Sequence, residues 1–416
     1  MVEKRLLKNI ILENLEIVKQ KQVIRRNFGY DSNANYVIVG SRRTGKTYFL
    51  FQIIQQLFRE DNNRKDILYI NFEDERLIEF NLSDFDLLLE SFKEIFNVKP
   101  ILFLDEIQNI SGWEKFVRRM ADTGYRVFVT GSNAKLLSSE IASTVGGRFL
   151  IIQIYPLSFS EFLLFKDFDL EENYEYSSQR FEIKKLFNEY LQFGGFPEIV
   201  KYEFKKEYLS NIFQKVVYGD ILARNRIKND YLLKLMVKKL AENTTSETSF
   251  TRLKNIIKSS GINCGTNTLI EYFRYLSDSF LIFGLENYAS KFVERESKKK
   301  YYFNDTGLLN LFFFDEDPKL LETLVFNHLK RTCREDFFYL RGKREINFLF
   351  LEEKLIQVSY SIKDFSTRER EVGAIKKFIG RKSYSEILII TFDEEEEIKI
   401  DDQIITVIPA WKWLLK

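Results

Sequence analysis

The chain has 416 residues, with 63 Lys and Arg against 61 Asp and Glu, so no overall field draws it to nucleic acid or a membrane surface. Its 45% hydrophobic and 30% charged content is that of folded protein, and its length exceeds what one hydrophobic core serves. Two cysteines, Cys264 and Cys333, exclude a disulfide framework and a cysteine-rich zinc site, and a lone His328 argues against histidine metal clusters and a Ser-His-Asp triad.

Residues 1–20 repeat apolar side chains at helical spacing, with charges scattered throughout. They lack the unbroken apolar core of a signal peptide, and no stretch reaches the length of a membrane span, so a cytoplasmic location is expected. Tyr36–Val39 reads as a short buried strand, and the segment after it, Gly40 to Thr47, fits G-x-x-x-x-G-K-[ST] at every fixed position. Gly40 and Gly45 let the main chain turn its N–H groups around phosphates where a Cβ would intrude. Between them lie Ser41, Arg42, Arg43 and Thr44. Lys46 is placed to neutralise the β- and γ-phosphates, and the Thr47 hydroxyl to ligate Mg²⁺. Tyr48 follows at the start of an amphipathic helix whose apolar face is Phe49, Leu50, Ile53, Ile54 and Leu57.

Ile67–Asn71 reads as a second strand, and Ile101–Leu104 as a third that ends in Asp105-Glu106. In parallel sheets ligands gather at the carboxyl ends of the strands. Asp105 is therefore expected to hold Mg²⁺ through water, and Glu106 to polarise the attacking water. A fourth strand, Tyr125–Val129, runs into Thr130-Gly131-Ser132-Asn133. Two readings stand there: Ser132 and Asn133 contact the γ-phosphate or the water, or Asn133 caps a helix opening near Ala134. The alternation of strand and helix predicts a parallel α/β core with an N-terminal helix over residues 1–155.

The runs GSRRTGKT, FLDEIQNISGW, VTGSNAKLLS, GGRFLIIQIYPLSFSEFL and YLQFGGFPEIV together resemble a family of archaeal and bacterial ATPases in the AAA+ and STAND-like P-loop lineage. The resemblance covers residues 36 to about 200. It implies ATP as the nucleotide and Mg²⁺ as the cofactor. It adds Arg148 to Lys46, Glu106 and Asn133 in the expected catalytic set, implying that Arg148 supplies charge to the phosphates in cis or from a neighbouring subunit. The other reading of Arg148 is a structural salt bridge. The resemblance also implies that Pro197, in Gly195-Phe196-Pro197, packs on the adenine, although GGFP is equally a helix terminator and turn. Arg224 takes the place of a basic residue in a helical lid.

Residues 156–230 are helical by periodicity and form that lid, with a solvated acidic loop at Asp167–Tyr176. Over 231–305, helices at Phe250–Lys258 and Thr266–Ser279 precede a hairpin of Leu281–Leu285 and Lys300–Phe303, a pattern resembling a winged helix. Lys298, Lys299 and Lys300 in that wing suit phosphate contact with DNA, whereas Glu271 and Asp278 oppose it. Residues 306–416 resemble a C-terminal α/β domain of the restriction-endonuclease-like, PD-(D/E)XK type. Glu322 fits its helix carboxylate. Asn347, Gln357 and Ser359 stand where Asp, Glu and Lys are expected, so the metal-dependent nuclease site is read as degenerate. Glu345 and Lys363 are the nearest residues a shifted site could use. The run Asp393–Glu397 reads as a hairpin turn between strands at Glu386–Phe392 and Ile398–Ile405.

The expected protein is an ATP-driven switch hydrolysing ATP with Mg²⁺. The alternative is a non-hydrolysing, ATP-gated DNA-binding regulator. DNA, an unspecified protein partner and a second copy of the chain are the candidate partners.

Overall fold

Short apolar strands separated by helices bury both faces of a sheet only when the strands run parallel. The computed structural model describes residues 2–137, 146–290, 298–314, 316–333, 336–342, 344–351, 353–379, 384–400 and 402–416. It divides into two compact units, Met1–Tyr155 with Asp278–Phe280, and Pro156–Ser277 with Leu281–Lys416.

In the first unit the strands are β1 (Asn35–Val39), β2 (Ile67–Asn71), β3 (Ile101–Asp105), β4 (Val127–Gly131) and β5 (Phe149–Gln153). They lie in the order β2-β3-β4-β1-β5, every neighbouring pair parallel. The helices are α1 (Lys4–Gln20), α2 (Lys46–Glu60), α3 (Asp84–Phe96) and α4 (Trp113–Asp122). The apolar stripe of α1 (Leu7, Ile10, Ile11, Leu15, Val18) is buried, as is the predicted face of α2 from Phe49 to Leu57. Because every strand points the same way, the segments leaving β1, β3 and β4 gather along one edge of the sheet. The helix expected from Ala134 is a 3₁₀ turn over Ala134–Leu137, and the remainder of that expectation falls on 138–145, outside the described residues.

The second unit opens with α5 (Phe159–Phe165), α6 (Gln179–Phe193) and α7 (Lys205–Gln214), which continues into a π-helical stretch at Lys215–Ala223. Ser158 and Glu161 form a capping box at the start of α5. Next come α8 (Asp230–Glu242), α9 (Phe250–Ser259), α10 (Thr266–Asp278) and an antiparallel pair, β6 (Ile282–Leu285) with β7 (Lys300–Phe303). The tip of the expected wing, 291–297, lies outside the described residues. The chain continues through α11 (Thr306–Asn310), α12 (Asp317–Thr332), β8 (Phe337–Arg341), β9 (Glu345–Phe350), β10 (Lys354–Val358) and α13 (Phe365–Ile379). It ends with β11 (Glu386–Thr391), β12 (Glu396–Ile400), β13 (Gln403–Pro409) and α14 (Ala410–Trp413). One apolar cluster runs from Leu157 and Phe187 through Leu233, Leu269 and Tyr302 to Phe348 and Trp411. The segments expected as lid, winged helix and nuclease-like domain therefore share a core.

Two sequence motifs far apart in the chain are locked together in that core. Gly194 has φ 74°, and the N–H of Gly195 donates to Asp305 Oδ2 at 2.7 Å. Asp305 also accepts from Leu308 N–H at 3.2 Å, capping α11. A Cβ on Gly307 would run into the Phe193 carbonyl. The GGFP and NDTG segments are thus two sides of one close contact.

Two expectations are corrected here. The acidic run is not a turn between paired strands. The C-terminal sheet has the order β12-β13-β11-β10-β9-β8, so β13 inserts between β11, parallel to it, and β12, antiparallel to it. Nor is the run merely solvated. Asp393 meets Lys184 at 2.6 Å, Glu394 accepts from Ile362 N–H at 2.7 Å, and Glu395 accepts from Lys412 Nζ at 2.8 Å. Fixed donors hold these carboxylates, although Asp393 and Glu395 remain exposed.

The wing lysines are the second correction. Lys300 is fully buried, its ammonium 3.3 Å from Glu322 Oε1 and hydrogen-bonded to Glu345. Burial works against that charge, but the two carboxylates outweigh it and hold the ammonium above its ordinary range. Lys299 pairs with Glu286 at 3.2 Å. Lys300 is not available to a phosphate backbone.

Removing one partner of a buried ion pair strands the other, so Lys300→Met should lower unfolding free energy by about 3 kcal/mol. Urea denaturation reads this, and an unchanged midpoint would show that the ammonium contributes nothing. His328 gives a pH test. Its ring lies 4.6 Å from Trp413, and burial, with Arg331 second, pushes its pKa down to about 4. Because burial disfavours the imidazolium, pH must fall further before the ring takes its proton. The single imidazole should titrate near that value by NMR, and a midpoint at about 6.5 would mean a hydrated ring.

Candidate active site

β1 delivers the chain to Gly40, whose φ is 154°. A Cβ there would strike the Ile154 carbonyl and come within 3.2 Å of Thr44 Oγ1, so the loop can pass only as glycine. Arg43 (φ 61°) and Gly45 (φ 97°) are left-handed as well, and together they curl the loop onto the first turn of α2. The Ser41 carbonyl accepts from the Thr44 hydroxyl at 2.8 Å and from Lys46 Nζ at 3.1 Å. Lys46 is buried, and its ammonium also lies 3.3 Å from Glu106 Oε1.

Asp105, the last residue of β3, is fully buried and takes donors from three sides. The Thr47 hydroxyl donates to it at 2.7 Å and the Tyr69 hydroxyl at 3.0 Å, and the Thr130 hydroxyl also donates. Thr130 Oγ1 in turn accepts the Glu106 N–H at 2.9 Å. Burial, with the Glu106 charge second, pushes the Asp105 carboxyl up to about 6, while the Thr130 and Thr47 hydroxyls pull the other way. Asp105 and Glu106 raise the Tyr69 phenol further beyond what burial alone does.

Glu106 leaves the strand in the left-handed region, with φ 51° and ψ 44°, a conformation costly for a residue other than glycine and characteristic of functional sites. Burial would raise its pKa, but Lys46, Gln108 and Arg42 outweigh burial and hold the carboxyl below its usual range. The two neighbouring carboxyls are therefore shifted in opposite directions, Asp105 up and Glu106 down.

The expected residues from Gly40 through Thr47, with Asp105 and Glu106, meet at this edge of the sheet. Arg42 reaches Glu73 Oε1 at 2.7 Å, Arg43 is exposed, and Tyr48 is exposed in the first turn of α2. Ser132 and Asn133 are buried just beyond β4, and the Asn133 carbonyl accepts the Leu136 N–H at 3.1 Å. Arg148 does not join them. It precedes β5, whose Phe149 is in register with Asn35 at the start of β1, so the length of a five-residue strand, about 17 Å, separates it from the loop edge. Its guanidinium binds Asp122 at 2.5 Å, so the cis role is corrected to a surface ion pair. Pro197 begins a 3₁₀ turn, Pro197–Lys201, in the second unit, and Arg224 pairs with Asp220 at 3.2 Å.

Sequence reasoning missed four participants. Tyr69 and Thr130 hold Asp105, and Gln108 donates to Glu106 and, at 3.4 Å, to Ser132. Gln108 Oε1 is buried with no hydrogen-bond partner among the described residues, and Gly131 leaves the room it needs. Arg26 is the fourth, donating to the Thr44 carbonyl at 2.9 Å. Thr130 and Gln108 stand inside quoted motifs and could have been found there. Tyr69 and Arg26 carry no local signal.

A second polar site lies within the second unit. A cavity of about 580 Å³ is lined by Glu322, Glu345, Asn347, Gln357, Ser359 and Glu371 among others, so the expected nuclease positions do converge. Their polar atoms are already engaged. Asn347 Oδ1 accepts the Val358 N–H at 2.9 Å, Gln357 donates to Glu371 at 2.6 Å, and Ser359 donates to the Ser361 carbonyl at 2.9 Å. Glu322 accepts from Tyr302 at 2.8 Å and faces Lys300. Among the described residues no group of three or more His, Cys, Asp or Glu could hold a metal ion. No helix described is long and apolar enough to cross a membrane.

The family description "AAA domain" matches residues 32–163, and a domain of unknown function (DUF8612) matches 184–318. The uncharacterized protein MJ1544 of Methanocaldococcus jannaschii is 39% identical over 437 residues, covering 100% of this chain and 96% of that one. An uncharacterized protein of Haemophilus influenzae is 31% identical, covering 93% and 95%. Among solved structures, the Walker-type ATPase PABY2304 of Pyrococcus abyssi aligns with a TM-score of 0.41 at 12% identity, covering 75% of this chain and 96% of that one. Orc1 of Aeropyrum pernix, solved in complex with DNA, aligns at 0.33 and 11%, covering 79% and 93%. Scores of that size say nothing about what this chain binds. The two long relatives decide the matter: the chain belongs to the archaeal and bacterial family they represent, P-loop proteins with an AAA-type ATPase domain around the loop and strands just described.

Proposed function

We propose that this chain binds ATP with Mg²⁺ and hydrolyses it to ADP and phosphate, acting as a nucleotide-driven switch. The observation that carries the reading is the adjacency of Thr47 to Asp105 and of Lys46 to Glu106 across one glycine-lined loop.

Each residue has a stated task. The glycines leave the loop's N–H groups open to phosphate oxygens, and the N-terminus of α2 adds partial positive charge. Lys46, now shared between the Ser41 carbonyl and Glu106, turns to the β- and γ-phosphates. Thr47 and Asp105 supply the oxygen ligands a hard cation takes, and Mg²⁺ when bound neutralises charge building between the β- and γ-phosphates. Transfer of Lys46 frees Glu106, which as a carboxylate accepts a hydrogen bond from the attacking water and orients it. ATP binding thereby opens the buried Lys46–Glu106 pair, which couples occupancy to readiness for hydrolysis. Arg148 could serve these phosphates only from a second copy of the chain.

The cavity of the second unit is a metal-free remnant in this reading. Amides replace carboxylates, and Lys300 neutralises Glu322 and Glu345 from inside.

Steady-state turnover tests the proposal. Glu106→Gln keeps shape but loses the charge that orients water, and should lower kcat by about 10²-fold or more with ATP affinity retained. Equal turnover in both proteins would overturn the role of Glu106. Lys46→Ala should abolish nucleotide binding in calorimetry, and unchanged affinity in that variant would sink the site assignment altogether.

A further inference from the structure

We propose that Arg26, outside every motif in the sequence, is a positioning residue that aims the Gly45 amide at the nucleotide phosphates. The inference rests on the nucleotide reading of the site and deepens it.

Arg26 is buried, at 7% exposure, although it lies in the irregular stretch between α1 and β1. Its guanidinium donates from Nη1 to the Thr44 carbonyl at 2.9 Å and from Nη2 to the Tyr155 carbonyl at 3.0 Å. The residue is held at both ends. Gln52, on α2, accepts the Arg26 N–H at 2.9 Å and donates to the Arg26 carbonyl at 2.9 Å. The guanidinium lies 4.8 Å from the centre of the Phe28 ring, which is edge-on to Phe49. A planar fork offers two carbonyls separate donors at fixed spacing, which the single nitrogen of an ammonium does not.

The consequence follows from peptide geometry. No peptide bond described is cis, and in a trans peptide plane the C=O and the following N–H point in opposite directions. Fixing the Thr44 carbonyl on Arg26 therefore turns the Gly45 N–H away from Arg26, toward the side where the loop is open. Gly45 is left-handed and has no side chain to set that plane for itself. The same guanidinium fixes the loop against Tyr155, the last residue before the chain leaves this unit.

The test uses the full-length protein with Arg26→Met and Arg26→Lys. Methionine keeps an apolar stem beside Phe28 and removes the fork. Losing hydrogen bonds from a charged donor predicts that Arg26→Met raises KM for ATP about tenfold while kcat changes less than about threefold. A residue that merely supports folding gives the opposite split, since a smaller folded fraction lowers kcat and leaves KM alone. Arg26→Lys, which keeps the charge but not the spacing of the fork, should recover part of the loss.

Wild-type KM in folded Arg26→Met, or a defect confined to kcat, overturns the inference. If Arg26→Met does not fold, Arg26→Lys decides: a raised KM supports the role and a wild-type KM overturns it. If the wild type binds ATP without turnover, the dissociation constant of mant-ATP replaces KM in the same comparison. A wild type that binds no nucleotide overturns the site reading, and Arg26's role with it, whereas binding that is indifferent to Arg26 overturns only the latter.

Discussion

The carboxylate of Asp105 sits at the end of β3 with no water around it, and the first unit is organised around keeping it there. A buried charge is tolerated only with donors on every side. Those donors come from three separate elements: Tyr69 on β2, Thr130 on β4, and Thr47 in the first turn of α2. The strand order makes this possible, because β2 and β4 flank β3 and each runs parallel to it. The Asp105 carboxyl nevertheless rises to about 6, a sign that three hydroxyls do not fully replace hydration. Glu106, one residue on, is held ionised by Lys46 and Gln108, so neighbouring carboxylates serve different ends.

What could be read from the sequence follows from how local each constraint is. The phosphate loop was legible because its glycines, lysine and threonine are bound by fixed spacing within a single turn of chain. Asp105-Glu106 was legible because an apolar run ending in acid is itself the signature. Arg26 was not, since its function is to hold main-chain oxygens, and any chain has those. Tyr69 looked like an ordinary strand residue because nothing in ILYIN tells which face meets Asp105. For Arg148 the motif suggested a phosphate contact in cis or from a neighbouring subunit; only the β1–β5 register, which the sequence does not spell out, sets it a strand's length from the loop of its own chain. Element ends held to within a residue or two where caps or strand ends are sharp, as at Thr266 and Lys300. The insertion of β13 between β11 and β12 was not legible, because pairing depends on contacts the acidic run makes with Lys184, Ile362 and Lys412 elsewhere in the fold.

The second unit solves a problem of charge in another way. Where a metal-dependent nuclease would carry carboxylates, Asn347 and Gln357 present amides, and each amide closes a hydrogen bond with the main chain or with Glu371. Besides Glu371, the carboxylates of Glu322 and Glu345 line the cavity, and Lys300 stands between them. An ammonium there does electrostatically what a cation would do, but it is covalently part of the chain and cannot leave. That lysine belongs to β7, the strand whose basic residues resembled a surface for DNA. Its burial ties the β6–β7 pair to α12 and β9, so one of the lysines expected to face DNA instead lies in the core. With a lysine between two carboxylates and amides bonded to the main chain and Glu371, the polar side chains named in this cavity find their partners within the chain itself.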